Sequence, residues 1–253
     1  MIAATRQDSG THGPQVIVSI LFAWYLVAHH VYLFGSGREG LILAAVFLVP
    51  PVLLMVWPRS LGLFLANAAI HLVQFFWAQP IFSNHALMSF FFTAGLLAVW
   101  TALVLRQRAI RVAPEDFYAA YAPLGRWLLI GMYVYGTLHK VNTDFLDAEV
   151  SCAVSLWRRY GFPEAIAESA LLHQATMYGT LIVEASVIVM LLIPRLRWLG
   201  IVIGIAFHGF LGFLPPGYIR AYSLFAIVLH GLFLPPNALE LLRQSRLWRA
   251  VLT

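Results

Sequence analysis

The chain has 253 residues, of which 61% are hydrophobic and 11% charged, and its mean hydropathy is +0.80. Ordinary globular domains carry about 45–50% apolar and roughly 25% charged residues, so this composition excludes a water-soluble domain, a disordered chain, a coiled coil and a compact DNA-binding module. The formal net charge of +5 is therefore read as membrane topology, and Cys152, the only cysteine, allows neither an intrachain disulfide nor a cysteine-ligated zinc or iron–sulfur centre.

A helix needs about 20 apolar residues to cross the roughly 30 Å hydrocarbon layer. In chain order, eight stretches qualify: Gln15–Phe34, Gly40–Trp57, Ser60–Ala78, Asn84–Leu105, Leu124–Leu146, Ala170–Ile193, Leu196–Leu214 and Tyr218–Leu234. Pro50 and Pro51 predict a kink in the second. The polar N-terminus leads into the first span without a small-residue cleavage signature, so that span is expected to be retained. The predicted fold is an all-α polytopic bundle of eight spans over 15–234, with a cytoplasmic tail at 1–14 and a cytoplasmic amphipathic tail at 235–253.

Eight spans put both ends of the sequence on one side. Arg6, Arg59, Arg106, Arg108, Arg111, Arg126, Arg195, Arg197, Arg243, Arg246 and Arg249 fall on that side, against Arg38, Arg158, Arg159 and Arg220 opposite. The positive-inside rule then makes both ends cytoplasmic. Arg243, Arg246 and Arg249, interleaved with Leu247, Trp248 and Val251, predict a helix lying on the inner leaflet.

This orientation groups the histidines. His29, His30, His71, His85, His139, His173 and His208 all fall within about 10 Å of the outer boundary at 1.5 Å rise per residue, while His230 is placed near the inner end of the last span. Each alone is read first as an interhelical hydrogen-bond partner. Lys140, the only lysine, lies inside the fifth span. Intramembrane ionisable groups are costly and point to function. Desolvation favours a lysine's neutral amine, which serves as a general base where arginine cannot. Glu184 in the sixth span and His230 in the eighth are expected at similar depth, as a neutralising contact or proton relay. Asn67 and Gln74 are expected to make interhelical polar contacts. Without a His-x-x-x-His, Glu-x-x-His or His-Glu-x-x-His pattern, no metal is expected.

Tyr135–Asp147, reading YGTLHKVNTDFLD, resembles the lysine-bearing segment of the vitamin K-dependent gamma-glutamyl carboxylases, whose membrane part defines the horizontally transferred transmembrane (HTTM) group. SNHAL at Ser83–Leu87, SLWRRYGFP at Ser155–Pro163 and the acidic, apolar, arginine and Phe-His sequence of Tyr178–Phe213 are similar to the family's flanking segments, in order, over roughly Ser83–Pro235. The resemblance implies Lys140 as the base that deprotonates a hydroquinone, His85 and His208 as further catalytic groups, and an outward-facing site. His71, Tyr135, His139 and Asn142 are expected beside the cofactor, and the resemblance places Glu184 at the family's acidic position. The implied cofactor is vitamin K hydroquinone or menaquinol with oxygen, without a metal, and the implied location is a bacterial plasma membrane. The sequence departs from the family at His139, where the carboxylases carry a second lysine, and at Asn142, where they often carry an acid. The family's large extramembrane substrate domain is not expected after Leu234, and neither is protein carboxylation.

The expected partners are the bilayer and a lipid-soluble quinol, with no nucleic acid. The alternative is a non-catalytic quinone-binding or assembly subunit that offers Asp144, Asp147 and Glu149 to a membrane or extracytoplasmic protein. The third reading is a proton-coupled transporter, disfavoured by the lack of internal repeats. Phe75, Phe76 and Trp77, and Trp157, Tyr160 and Phe162, are read first as an interfacial aromatic belt and second as walls of a quinol site.

Overall fold

The computed structural model describes residues 12–34, 37–77, 84–214 and 219–244, and among them all regular structure is helical. The helices are α1 (His12–Phe34), α2 (Gly37–Val56), α3 (Leu61–Trp77), α4 (Asn84–Gln107), α5 (Pro114–Lys140), α6 (Thr143–Leu146), α7 (Cys152–Arg159), α8 (Glu164–Ala167), α9 (Ala170–Leu192), α10 (Arg197–Phe213), α11 (Arg220–Gly231) and α12 (Ala238–Gln244). Among the described residues three stretches are long and apolar enough to cross a membrane: Gly13–Val31, Ala86–Gln107 and Ala170–Leu192. Val46–Val56, Leu61–Trp77 and Arg197–Phe213 are apolar but shorter.

Each expected span coincides with a helix, but the fifth is displaced. α5 starts at Pro114 and stops at Lys140, where Leu124 and Leu146 were expected. Its start is set by proline in the first turn and by Glu115 and Asp116, which complement the positive end of the helix dipole. Its stop follows from Asn142, whose extended backbone ends the helix and whose Oδ1 accepts from the Phe145 N–H to cap α6. At the connection that leads into α5, α4 closes with Arg108 in the left-handed region and the Ala109 N–H bonded to the Val104 carbonyl, a Schellman-type ending. The first helix also begins earlier than expected, at His12. Of the expected C-terminal amphipathic helix, α12 forms, while Arg246 and Arg249 lie outside the described residues.

The chain divides into two compact units, with the division inside α5: unit 1 comprises residues 1–125 and 234–253, and unit 2 comprises 126–233. In unit 1 the core is aromatic. Phe22 of α1 meets Phe64 of α3 and Phe92 of α4 at 5.3 Å between ring centroids, and Phe92 meets Tyr121 of α5 at 5.4 Å. Aromatic pairs at these separations add to the gain from burial alone.

Polar residues stitch the same helices together. Pro51 has no N–H, so it cannot serve the Phe47 carbonyl one turn back in α2. His30 of α1 does so instead, donating from Nδ1 at 3.0 Å. With that proton placed, Nε2 is an acceptor; it lies 2.7 Å from Gln74 Oε1 of α3, so the pair forms a hydrogen bond once the carboxamide is turned to present its NH2. Asn67 donates to the Pro50 and Leu63 carbonyls, so Asn67 and Gln74 make the interhelical contacts expected of them.

In unit 2, α9, α10 and α11 pack in succession, and α11 is the buried one: Phe225, Ala226, Val228, Leu229 and His230 are fully enclosed. At 12 residues α11 rises about 18 Å, less than the roughly 30 Å layer. Arg126 closes its C-terminal end by donating from Nε to the Leu232 carbonyl at 2.8 Å and lying over the Phe233 ring. The outer faces of the helices remain apolar, with Val134 and Leu138 of α5, Ile182 and Val189 of α9, and Val202 and Phe210 of α10 exposed. Apolar surface on this scale suits lipid, not water.

The segment between α6 and α9 is held by aromatic and ionic contacts. Trp157 of α7 donates to Thr176 of α9 at 2.8 Å and packs on Phe162 and on Phe210 of α10. Tyr160 donates to the Leu211 carbonyl at 2.7 Å. These three aromatics thus anchor α7 onto two helices. Gly161 takes the left-handed turn between them.

Candidate functional site

The polar centre of unit 2 is assembled from four helices. Tyr133, Gly136 and Lys140 of α5 fall three and four residues apart, which places them on one helix face. Lys140 Nζ lies 2.8 Å from both carboxylate oxygens of Glu184 on α9 and 3.3 Å from the Gly136 carbonyl. All three ammonium donors are thereby engaged. The pair is asymmetric: 23% of the Lys140 side chain is exposed against 7% of Glu184. Lys140 Nζ is therefore closed within these contacts, held against a carboxylate where the sequence suggested only a desolvated amine.

This geometry corrects the expected Glu184–His230 contact. A buried carboxylate takes the strongest charge-assisted donor within reach, and Lys140 supplies it. His230 is engaged elsewhere: Nδ1 donates to the Ala226 carbonyl at 2.8 Å, so Nε2 is an acceptor and receives the Tyr133 hydroxyl at 3.3 Å. His230 also lies less far from the outer group than residue counting implied, since its ring is 6.0 Å from that of His208. Gly204 makes this approach possible. A Cβ there would overlap the His230 ring, and one at Gly212 would come within 2.6 Å of the Ser223 Cβ. Gly200, Gly204, His208 and Gly212 recur every fourth residue along the buried face of α10, so His208 sits in a seam otherwise made by glycine.

His208 is 1% exposed, and both of its ring nitrogens are buried without a hydrogen-bond partner. Around it stand Tyr133 at 5.7 Å and Tyr222 at 5.6 Å between ring centroids. Tyr133 and Tyr222 were not singled out in the sequence. The signals available were the Tyr133–Gly136–Lys140 spacing and the glycine repeat of α10.

The other expected site residues lie elsewhere. His71, in unit 1, donates from Nε2 to Ser89 Oγ at 2.8 Å, since the Ser89 hydroxyl is itself given to the Ala86 carbonyl. Its ring is 5.1 Å from His29. Tyr135 and His139 are exposed and stack on each other at 5.8 Å. Asn142 spends its side chain on the α6 cap and on the His139 carbonyl. His173 donates to the Ala167 carbonyl at 2.6 Å. The His85 side chain lies outside the described residues.

Open grooves lie on the surface of the described residues. One of about 600 Å³ lies at the α2–α3 turn around Trp57 and Arg59, and one of about 450 Å³ is lined by Asp147, His173, Gln174 and Tyr178. Neither is lined by Lys140. Among the described residues no group of three or more His, Cys, Asp or Glu side chains is placed to hold a metal ion.

The fold and this polar centre define an all-helical protein with apolar spanning-length helices and an ion pair buried among them. Comparison with protein-family profiles, curated proteins and solved structures gives no match.

Proposed function

We propose that the protein is a polytopic membrane enzyme of a bacterial plasma membrane that acts on a lipid hydroquinone, with Lys140 as general base. The eight helices α1–α5 and α9–α11 form the membrane-embedded set, α11 crossing only part of the layer, with both ends cytoplasmic and the Lys140 site opening outward. The observation that carries this reading is the Lys140–Glu184 pair. It joins the chain's only lysine to a buried carboxylate at 2.8 Å, between helices whose outer faces are apolar.

An ammonium with three engaged donors is not a base. Moving one proton from Nζ to the Glu184 carboxylate turns the ion pair into an amine and a carboxylic acid, with no formal charge on either group. Low-dielectric surroundings reduce the cost of that transfer relative to water. Lys140 Nζ then has a lone pair for a phenolic proton, and Glu184 holds the displaced proton until it can leave. The hydroquinone supplies the oxidisable ring and oxygen accepts its electrons. The resemblance of Tyr135–Asp147 to the carboxylase lysine segment supports the same substrate class.

The test is oxygen uptake by the purified protein in lipid nanodiscs supplied with vitamin K hydroquinone or menaquinol. Lys140→Ala abolishes uptake, and Lys140→Arg does so too because a guanidinium stays protonated. Equal rates in wild type and Lys140→Ala reject the proposal.

A further inference from the structure

The groove of about 450 Å³ in unit 2 is built where the end of α6 faces the first turns of α9. On α9, His173 and Met177 are four residues apart, as are Gln174 and Tyr178, so the four form two adjacent rows on one helix face. Leu146 and Asp147 close the facing wall. The floor is apolar: Met177 is buried, in a cluster with Phe145 and Val154.

The polar groups that line the groove are rich in acceptors. Asp147 Oδ1 accepts the Glu149 N–H at 2.9 Å, and the second carboxylate oxygen takes no hydrogen bond from the described residues. His173 Nε2 lies 2.6 Å from the Ala167 carbonyl, which can only accept, so Nε2 carries the proton and Nδ1 holds a lone pair. Gln174 and Tyr178 are exposed and can serve either way. The surrounding charge has one sign. Over 141–178 five carboxylates stand against two arginines, in a chain whose net charge is +5, and Arg158 is spent on Glu168.

These features select among ligands. An anion is repelled by Asp147, and a hydroxyl has one proton for two acceptors. A metal ion is poorly served, since among the described residues no three His, Cys, Asp or Glu side chains converge to hold one. A primary ammonium brings three N–H donors and the complementary charge, and the apolar floor suits a short hydrocarbon stem behind it. We propose that this groove binds a primary ammonium group on a short apolar stem, with Asp147 as its counter-charge and His173 Nδ1 as a second acceptor. The site is separate from the Lys140–Glu184 pair and stands whether or not the proposed reaction does.

The test compares three probes that share one stem and differ in head group: n-butylamine, which keeps its proton at pH 7 as a lysine side chain does, 1-butanol and butyrate. Each is titrated against the full chain in nanodiscs of phosphatidylcholine, whose quaternary ammonium has no N–H. The readout is the Met177 methyl signal of carbon-labelled methionine, assigned with Met177→Leu, which reports binding in the groove and not partition into lipid. Butylamine should bind saturably and about tenfold more tightly than butanol or butyrate, and Asp147→Asn should weaken it about tenfold. Asparagine retains an oxygen for the Glu149 N–H, so the turn is kept. If Asp147→Asn does not fold, the head-group selectivity of wild type decides the matter. Displacement of butylamine when phosphatidylethanolamine is added to the nanodisc assigns the ammonium to a lipid head group, and indifference to that lipid assigns it to a dissolved amine. Butanol or butyrate binding as tightly as butylamine, or butylamine binding unchanged in Asp147→Asn, overturns the inference.

Discussion

The two units differ in how one buried histidine is held. In unit 1, His30 and His71 are structural: His30 serves a carbonyl that Pro51 cannot, and His71 closes onto Ser89. In unit 2, His230 is tied down in the same manner, but His208 is enclosed with both nitrogens idle, beside aromatic rings and near an ion pair. The contrast separates polar groups that repair the backbone from polar groups held in reserve. A buried histidine carries no functional message until its nitrogens have been accounted for.

The largest effect expected from breaking this contrast lies at the ion pair. Lys140→Met strands the Glu184 carboxylate, whose side chain is 7% exposed, and is expected to cost about 3 kcal/mol of stability. The double variant Lys140→Met with Glu184→Met recovers most of that loss while remaining inactive, because removing both charges removes the desolvation penalty as well. Denaturant unfolding in detergent micelles measures both. A double variant no more stable than the single would mean that the pair is not what holds these helices together.

A smaller effect separates the unit 1 histidines from function. His30→Phe is expected to cost about 1–2 kcal/mol, as a buried carbonyl loses its donor. Pro51→Ala restores a helical N–H for the Phe47 carbonyl, so it should offset much of the His30→Phe loss. A coupling of about 1 kcal/mol is expected in the double-mutant cycle. Strict additivity would show that His30 has some other role.

The smallest effect lies outside the spans. Arg158 forms a bidentate pair with Glu168 at 2.6 Å, and the guanidinium holds the Glu168 carboxyl below its ordinary range while its own pKa is raised. A carboxyl whose folded pKa is depressed stabilises above its unfolded value, and that contribution disappears as pH falls through the folded one. Both side chains are largely in solvent, so the effect is slight and weakened by salt. Thermal unfolding of wild type should decline with acidification slightly more than that of Glu168→Gln. Parallel pH profiles would assign the pair no role in anchoring the segment.

Much of the fold was legible because apolar runs bounded by charge and proline mark helices directly. α5 was misplaced because hydropathy outweighed stronger local signals. Pro114, Glu115 and Asp116 read as a helix start, and Asn142 as a stop, even though PEDFYAAYAP is too polar for a span. Lys140, Glu184, His208 and His230 stood out as costly groups, yet their partners did not. Counting residues along a helix gives depth but not the direction a side chain faces, so Glu184 was assigned to His230 when Lys140 shared its face. The glycine repeat of α10 was the missing azimuthal cue, since only a side chain opposite that seam can approach as closely as His230 does at Gly204.

Because Lys140 is the only lysine in the chain, a protein labelled with nitrogen-enriched lysine gives a single side-chain amine signal, apart from any the host lipids contribute. That signal tests the account most directly. It should report a side-chain nitrogen shifted from that of a free lysine by its pairing, move on Glu184→Gln, and move again when vitamin K hydroquinone is added without oxygen. A signal matching solvent-exposed lysine, unmoved by Glu184→Gln and by the hydroquinone, would contradict it.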